Sequence, residues 1–507
     1  MPRFLASPRN FYILIGGYFL LQILLRLIAS GTTDLDESEQ LLATQQLALG
    51  YGPQPPLYTW LQFPLIRIFG ANVFALALLK DILLFGIYAM TYRNARLVTR
   101  DHWRSVIASI SLLFIPEIAW ESQRDLTHSV LVTLLATATF FAFLKLRENR
   151  QLRWYFAFGI FLALGVLSKY SFAIFAIALL VAALTIPTSR RIVWNWRMLL
   201  ALAICFVLLA PHLIWAAHHT DWVMSTSKKL GMSANSWPRA ILAGLANMFT
   251  GFGTHVGLLV VLFVIACWKS RGKKNSDASM PDGAKTIARG LLVMLVLLVA
   301  GIFIFKVTGF KDRWFLPLCV WVPILLVTIF ESRLTAGRMR ALASIAGMIA
   351  LVISILIPAR VWFSEQIGFT QAINAPFDLL AREIRRNDDA FAGVIAINNW
   401  VGGNLKKEFP KKIVFTPRIF LKPDLRAGDE CLLVWDAPRD AEPPKKFLAF
   451  AAQFSDVDMT GEKIIEARLK HFQTKTMRLG IARCKVKPGA ETILKNLPAE
   501  LPGKKME

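Results

Sequence analysis

Residues 11–30 read FYILIGGYFLLQILLRLIAS, a stretch long and apolar enough to cross a membrane as one helix. No small-residue cleavage site follows it, so we expect a retained span and not a signal peptide. Ten further apolar stretches follow, at about 71–91, 105–119, 126–144, 154–167, 170–186, 198–217, 254–268, 288–306, 314–330 and 341–358. The sequence therefore predicts an α-helical polytopic membrane protein with about eleven transmembrane helices.

The composition agrees with a membrane protein. Of 507 residues, 55% are hydrophobic and 18% are charged, and the mean hydropathy is +0.48. Soluble domains are about 45–50% apolar even when glycine is counted. These values exclude an ordinary soluble enzyme and a disordered or fibrous chain. The net charge of +24 would by itself suggest a nucleic-acid partner.

The distribution of the basic residues gives that charge another meaning. Up to residue 359, 22 of the 33 Lys and Arg residues lie in alternate loops on one side, and eight lie on the other, Lys228 and Lys229 among them. The positive-inside rule places the richer set in the cytoplasm. The pattern argues against nucleic-acid binding and predicts an inner (plasma) membrane protein. Eleven spans from a cytoplasmic N-terminus leave the C-terminal domain in the periplasm.

The sequence divides into a transmembrane module over 1–359 and a small α/β domain over 360–507. Strand-like and helix-like segments alternate in the second part, as in FAGVIAIN (391–398) followed by NWVGGNLKKEF (399–409). Gly402 and Gly403 are interpreted as a tight strand-to-helix turn, with a phosphate site at a helix N-terminus as the less favoured alternative. An oxidising compartment allows Cys431 and Cys484 to pair, and the sequence leaves this open.

The first outer loop, TTDLDESEQLLATQQLALGYGPQPPLYTW (32–60), contains four acids and no basic residue. Asp34 and Glu37 have the spacing of a helix capping box. Asp36 and Glu39 lie one helical turn apart, so a helix places both on one face at the membrane edge, where unpaired carboxylates are costly. Either could act as a general base or a metal ligand. A structural role is an equally strong alternative.

Other polar residues follow on the outer side. Gln54 and Tyr58 are candidates for ligand contacts at the proline-rich end of the first loop. In the next outer loop, IPEIAWESQRDLTHSVL (115–131), four ionisable residues have helical spacing, which predicts one polar helical face: Glu121, Arg124, Asp125 and His128. The alternative is an ion pair with a helix N-cap.

Three outer basic residues could bind a phosphate, namely Lys169, Lys311 and Arg313. The alternative for each is a turn residue or a side chain that reaches the interface. Acids and cations at one membrane face suit a phosphorylated lipid substrate.

Five motifs occur in a fixed order: LDESEQ (35–40), GYGPQPPLYTWLQ (50–62), ESQRDLTHSVL (121–131), LGVLSKYSF (164–172) and FKDRWFLPL (310–318). Over about residues 10–330 the chain resembles the polyprenyl-phosphate-sugar-dependent GT-C glycosyltransferases of the protein mannosyltransferase-like superfamily. Within it, the chain is most similar to bacterial galacturonosyl- and aminoarabinose transferases that modify lipid A or lipopolysaccharide core.

The resemblance implies roles for individual residues. Asp36 and Glu37 match the acidic pair of the family, which makes Asp36 the catalytic base. Asp125 or His128 matches a further acidic or metal-binding position. The segment from Arg313 to Pro317 matches an Arg-aromatic-x-x-Pro element that holds the donor phosphate. Many relatives have Lys at the position of Gln54, so Lys169, Lys311 or Arg313 would supply that charge.

The implied reaction is inverting sugar transfer from undecaprenyl phosphate, or a similar polyprenyl phosphate, to lipid A or lipopolysaccharide core on the periplasmic side. A divalent metal ion is an optional cofactor, and a protein or another envelope glycan is the alternative acceptor. A transporter or lipid flippase is the alternative function, with a non-catalytic scaffold as a third. Transport predicts mid-span charges and an internal repeat. The mid-span charges are few: Arg26, Lys80 and Asp81.

Overall fold

The structure is a computed structural model that describes residues 6–225, 230–232, 237–268, 280–387, 390–437 and 442–495. Lys228, Lys229 and the 269–279 part of a basic loop that the sequence predicts to be cytoplasmic lie outside these residues. The helices up to residue 367 are α1 (Pro8–Ala29), α2 (Leu35–Ala43), α3 (Leu57–Phe69), α4 (Val73–Thr99), α5 (His102–Ile110), α6 (Ser122–Arg124), α7 (Thr127–Glu148), α8 (Leu152–Ser168), α9 (Phe172–Thr185), α10 (Pro187–Val193), α11 (Trp196–His218), α12 (Thr220–Met224), α13 (Trp237–Cys267), α14 (Asp282–Phe305), α15 (Leu316–Cys319), α16 (Val322–Ile329), α17 (Ala336–Trp362) and α18 (Ser364–Ile367).

The helices confirm a polytopic membrane protein. Within the described residues, seven helices are long and apolar enough to span a membrane: α1, α4, α7, α11, α13, α14 and α17. His102–Phe114 and Glu117–Arg124 meet at a 77° bend, the geometry of a broken span or of a re-entrant loop, and would make eight spans if the pair crosses the membrane. The remaining three predicted segments form the shorter apolar helices α8, α9 and Leu316–Ile329. Helix α13 begins well before the predicted start at residue 254, since helical structure continues beyond the apolar stretch.

The chain forms two compact units. The first comprises residues 1–22, 80–218 and 226–354, and the second comprises 23–79, 219–225 and 355–507. The first outer loop thus belongs to the same unit as the C-terminal residues. The predicted domain boundary at residue 359 stays a prediction. The compact units group that loop with the C-terminal domain and so do not follow a single cut in the sequence.

Aromatic rings form the centre of the first unit. Trp321 is 2% exposed, and its ring centroid lies 5.1 Å from that of Phe140 and 4.8 Å from that of Phe175. Its indole Nε1 donates a hydrogen bond to the carbonyl of Leu318 at 2.6 Å. This contact satisfies the one polar atom of a buried indole.

The second unit contains a five-stranded mixed sheet. Its elements are α19 (Phe377–Asn387), β1 (Gly393–Ala396), α20 (Asn399–Glu408), β2 (Ile413–Phe415), β3 (Glu430–Asp436), α21 (Lys445–Ala451), β4 (Ser455–Leu469), β5 (Phe472–Val486) and α22 (Glu491–Lys495). The strand order is β2-β1-β3-β5-β4. Strand β1 is parallel to β2 and β3, and β5 is antiparallel to β3 and β4. The predicted α/β domain is confirmed, but the sequence analysis missed β4, a polar edge strand without a clear apolar face.

The interpretation of Gly402 and Gly403 as a turn before a helix is wrong. Both residues lie inside α20, and the turn falls earlier, at Asn398. The Asn398 Oδ1 atom accepts a hydrogen bond from the Val401 amide at 2.9 Å and caps the helix. A glycine inside a helix needs a packing reason, because it costs about 1 kcal/mol relative to alanine.

Cys431 and Cys484 form a disulfide. They lie directly opposite each other on β3 and β5, with Cα atoms 4.9 Å apart. The pairing that the sequence left open is therefore present and joins two central strands.

We expect the Cys431→Ser/Cys484→Ser double variant to lose about 2–4 kcal/mol of unfolding free energy, because the disulfide closes a loop of 53 residues. Denaturant unfolding of the detergent-purified protein measures the loss. Cys205→Ser is the control, since Cys205 is a free cysteine on α11. Equal stability of the double variant and this control would contradict the prediction.

Candidate active site

Helix α2 carries the acids of the first outer loop, and its N-terminus has the predicted capping box. The Asp34 carboxylate accepts a hydrogen bond from the backbone at the start of the helix, and the Glu37 carboxylate accepts one from the Asp34 amide at 3.0 Å. The two side chains satisfy amide groups that have no partner within the helix. The capping prediction is confirmed.

Glu37 also forms a buried ion pair with Arg26, in the last turn of α1. Arg26 Nε and Nη2 donate to the two Glu37 carboxylate oxygens at 3.1 and 2.6 Å. The side chains are only 9% and 2% exposed. Arg26 also donates to the carbonyls of Ser30 at 2.7 Å and Thr32 at 2.8 Å. The Glu37 carboxylate is thus part of the framework that holds α2 against the end of the first span.

Asp36 and Glu39 lie on the more open face of α2. Both side chains are half-buried, whereas Glu37 and Ser38 are buried. The prediction that Asp36 and Glu39 share one helical face is consistent with their positions in Leu35–Ala43. This face can present carboxylates to a substrate, because its neighbours on the other side of the helix are engaged in packing.

The proline-rich end of the first loop packs against α2. The Thr59 hydroxyl donates to Gln40 Oε1 at 2.9 Å and joins α3 to α2. Gln54 is half-buried and Tyr58 is 1% exposed. Burial raises the pKa of Tyr51 to about 12, and its hydroxyl bridges the Ala48 amide and the Gln46 carbonyl.

The second outer loop differs from its prediction. Glu121, Arg124, Asp125 and His128 do not share one helical face, because the chain breaks between α6 and α7. Asp125 is extended, and Leu126 has the left-handed φ of 72°. The alternative of an ion pair is observed, with Arg124 Nη1 at 3.2 Å from Glu121 Oε1. The helical spacing failed as a guide because α7 starts anew at Thr127.

Lys169 lies in the turn between α8 and α9. Its Nζ donates to the hydroxyl of Ser129 at 2.9 Å. Ser129 follows His128 in the chain, so the structure brings Lys169 to the start of α7. The adjacent Tyr170 hydroxyl is 2.9 Å from His212 Nε2, a contact that the sequence analysis did not predict.

Lys311 and Arg313 lie in a short segment between α14 and α15. Lys311 is exposed and Arg313 is half-buried. Within the described residues, the Arg313 guanidinium makes no hydrogen bond or ion pair. The next part of the chain borders an apolar cavity of about 230 Å³, lined by Phe315, Leu318 and Cys319 together with side chains of α13 and α14. Arg313 therefore lies two residues before the first residue of this segment that lines the cavity, Phe315.

A second buried acid escaped the sequence analysis. Glu117 is 5% exposed, and its Oε2 lies 2.9 Å from Nδ1 of His255, which is fully buried. The His255 ring centroid is 6.3 Å from that of Phe315. The sequence did contain a signal for this contact, namely an acid directly after Pro116 in an apolar stretch. A carboxylate buried there needs a polar partner.

The metal prediction stays untested. In the part of the chain that the structure describes, no group of three or more His, Cys, Asp or Glu side chains is arranged to hold a metal ion.

Comparison with known proteins identifies the class. A family model described as dolichyl-phosphate-mannose-protein mannosyltransferase matches residues 53–215. The chain is 32% identical over 441 residues to lipopolysaccharide core galacturonosyltransferase RgtB of Rhizobium johnstonii. The aligned region covers 85% of this chain and 89% of the relative. It is 28% identical to the core galacturonosyltransferase RgtA of the same organism, over 86% of this chain and 89% of the relative.

A solved structure shows the same fold. ArnT from Cupriavidus metallidurans bound to undecaprenyl phosphate matches with a TM-score of 0.59 at 11% identity, over 94% of this chain and 98% of that chain. The protein is thus a membrane glycosyltransferase of the GT-C class. More narrowly, it belongs to the family of the lipopolysaccharide core galacturonosyltransferase RgtB. Membership in this enzyme family favours the predicted glycosyltransferase over the transporter, flippase and scaffold alternatives.

The Arg26–Glu37 pair gives a stability prediction. We expect Glu37→Gln to cost about 3–5 kcal/mol of unfolding free energy, because it leaves a buried guanidinium without a counter-charge. The Arg26→Met/Glu37→Met double variant should recover part of that loss. Thermal unfolding in detergent measures both, with Glu39→Gln as the half-buried control. A Glu37→Gln protein as stable as Glu39→Gln would contradict the buried pair.

Proposed function

We propose that this protein transfers a sugar acid from a polyprenyl phosphate to lipid A or the lipopolysaccharide core, at the outer face of the inner membrane. The observation that carries the proposal is the placement of Asp36. This half-buried residue lies on the capped helix α2, and the residue after it, Glu37, is fixed by its ion pair with Arg26. The curated relatives support it, since RgtB and RgtA are named as lipopolysaccharide core galacturonosyltransferases. Undecaprenyl phosphate is bound in the similar ArnT structure.

Asp36 is the base in this proposal. Its carboxylate takes the proton from an acceptor hydroxyl while the hydroxyl oxygen attacks C1 of the sugar. The bond from C1 to the phosphate oxygen breaks, and the configuration at C1 is inverted. Glu39, one turn away on the same helix, would contact the acceptor or the sugar. Glu37 acts through Arg26 and keeps the helix in place.

Cations would stabilise the departing polyprenyl phosphate as negative charge develops on it. Arg313 is the strongest candidate, since its guanidinium has no ion-pair partner within the described residues and it precedes the apolar cavity of about 230 Å³. That cavity suits isoprenoid units of the donor. Lys169 and Lys311 would add charge. Arg124 is a weaker candidate, because Glu121 already neutralises it.

Two independent features support the outer location. The basic residues favour a cytoplasmic N-terminus by the positive-inside rule. The disulfide between Cys431 and Cys484 favours an oxidising compartment for the C-terminal domain. The divalent metal remains a proposal, which activity before and after chelation would test.

The proposed base predicts the outcome of complementation. A deletion strain should lack one sugar acid on lipid A or core by mass spectrometry, and wild type should restore it. Asp36→Asn should not restore it, because loss of a general base lowers the rate about 10²- to 10⁴-fold. Asp221→Asn, which changes an exposed acid on α12, is the matched control.

Three results would count against parts of this proposal. Full restoration by Asp36→Asn would exclude the base. A deletion that leaves lipid A and core unchanged but alters a protein or another glycan would favour the alternative acceptor. A deletion that changes no glycan would argue against both the proposed sugar donor and the proposed acceptor.

The phosphate role of Arg313 predicts a kinetic effect. With undecaprenyl-phosphate-linked galacturonic acid as donor, Arg313→Ala should lower kcat/KM about 10- to 100-fold, since a charge-assisted hydrogen bond contributes about 1.5–3 kcal/mol. Arg313→Lys should recover only part of it. Arg239→Ala is the matched control, because Arg239 is an exposed basic residue at the start of α13. An effect of the same size at Arg239 would reduce the role of Arg313 to general surface charge.

A further inference from the structure

Helix α2, which carries Asp36, packs against α20 of the α/β domain within one compact unit. The contact is closest at two glycines. A Cβ atom on Gly403 would overlap the backbone of Ser38, and one on Gly402 would come within 3.3 Å of the Leu42 side chain. The absence of a side chain at Gly403 lets the backbones of α20 and α2 approach closely, which is the packing reason for a glycine inside this helix.

Hydrogen bonds fix the N-terminal end of α2 to the same helix. Asn404 is fully buried. Its Oδ1 accepts from the Thr33 amide at 2.9 Å, and its Nδ2 donates to the Thr33 carbonyl at 3.2 Å and to Ser38 Oγ at 3.3 Å. Trp400 Nε1 also donates to the Thr33 carbonyl, at 3.2 Å. These contacts lie three residues before Asp36 and two residues after it.

The chain beyond α2 is held by the sheet. The Gln45 side chain forms two hydrogen bonds with the backbone of Val414 on β2, at 2.9 Å to its amide and 2.6 Å to its carbonyl. The Gln46 side chain pairs in the same way with the backbone of Lys422. The α/β domain therefore contacts the acid-bearing segment before, along and after α2.

We propose that α20 is a positioning element of the active site, in which Gly403 and Asn404 set the place of the Asp36 carboxylate. This inference rests on the proposed function, with Asp36 as the base. A general base must lie within hydrogen-bond reach of the proton it takes. A displacement of about 1 Å can cost 10²-fold in rate. Gly403 and Asn404 are buried in the contact and act through α2, so they are positioning residues and touch no substrate.

The role explains a feature that packing alone does not. The Asn404 amide reaches Thr33 and Ser38, which are 371 and 366 residues away in sequence, while its Nδ2 also donates to the Trp400 carbonyl of its own helix at 3.0 Å. An apolar pair would bury as much surface without fixing the rotation of α2 about its axis. Directional hydrogen bonds at the N-terminus, combined with a close contact at Gly403, fix both that rotation and the distance between the helices.

The test compares two glycine variants in the same domain, each of which places a methyl group in a severe overlap. In Gly403→Ala the added methyl group meets the Ser38 backbone, and in Gly480→Ala it meets the buried ring of Trp435, away from α2. Purified full-length protein is assayed with undecaprenyl-phosphate-linked galacturonic acid. We expect Gly403→Ala to lower kcat at least 10-fold with donor KM changed less than twofold. Gly480→Ala should keep kcat per folded molecule, even where its melting temperature falls as much.

A milder variant covers the case in which Gly403→Ala does not fold. Trp400→Phe keeps an aromatic ring beside Phe377, whose centroid is 5.1 Å from the present ring, and removes the donor to Thr33 together with the extra volume of the indole. We expect kcat to fall two- to fivefold with the melting temperature unchanged.

The outcomes separate the two proposals. If Asp36→Asn abolishes transfer and both Gly403→Ala and Trp400→Phe keep full kcat, the positioning role is wrong and the proposed function stands. Equal kcat losses in Gly403→Ala and Gly480→Ala would also overturn the positioning role, since such losses would reflect general damage to the domain. If Asp36→Asn retains transfer, the base assignment fails and the positioning role fails with it.

Discussion

The end of the first span depends on the burial of one positive charge. Arg26 lies in the last turn of α1, where an unpaired guanidinium is costly. Glu37 and the carbonyls of Ser30 and Thr32 surround it. The chain must therefore turn back over Arg26 as soon as it leaves the helix, and α2 must start where Glu37 can reach it. The position of Asp36 follows from the partner of its neighbour.

Adjacent acids on α2 thus have different environments. Successive residues of a helix point in directions about 100° apart, so Glu37 faces Arg26 while Asp36 and Glu39 share the more open side. Glu37 serves both the capping box and the ion pair, whereas Asp36 and Glu39 are half-buried. In the proposed mechanism, the Asp-Glu pair thus combines a base, Asp36, with the residue that holds its helix, Glu37.

The predictions that held depend on short-range patterns. Apolar runs identified the membrane helices, the Asp34–Glu37 spacing identified the capping box, and alternating segments identified the α/β domain. The failures occurred where local spacing was extended across a break. Asp125 and His128 have helical spacing, but the left-handed Leu126 separates them. Strand β4 was missed because its pairing with β5, and not its own apolar pattern, defines it.

The sequence by itself determined that the chain lies in a membrane, which loops carry the positive charge, and where the acid-bearing helix begins. These properties follow from the transfer free energy of runs of residues and from hydrogen bonds within one helical turn. Only the tertiary structure decided that Glu37 pairs with Arg26, that Cys431 joins Cys484, and that Asn404 holds Thr33 from 371 residues away. Such pairs depend on how distant elements pack, and a local pattern contains no information about that distance.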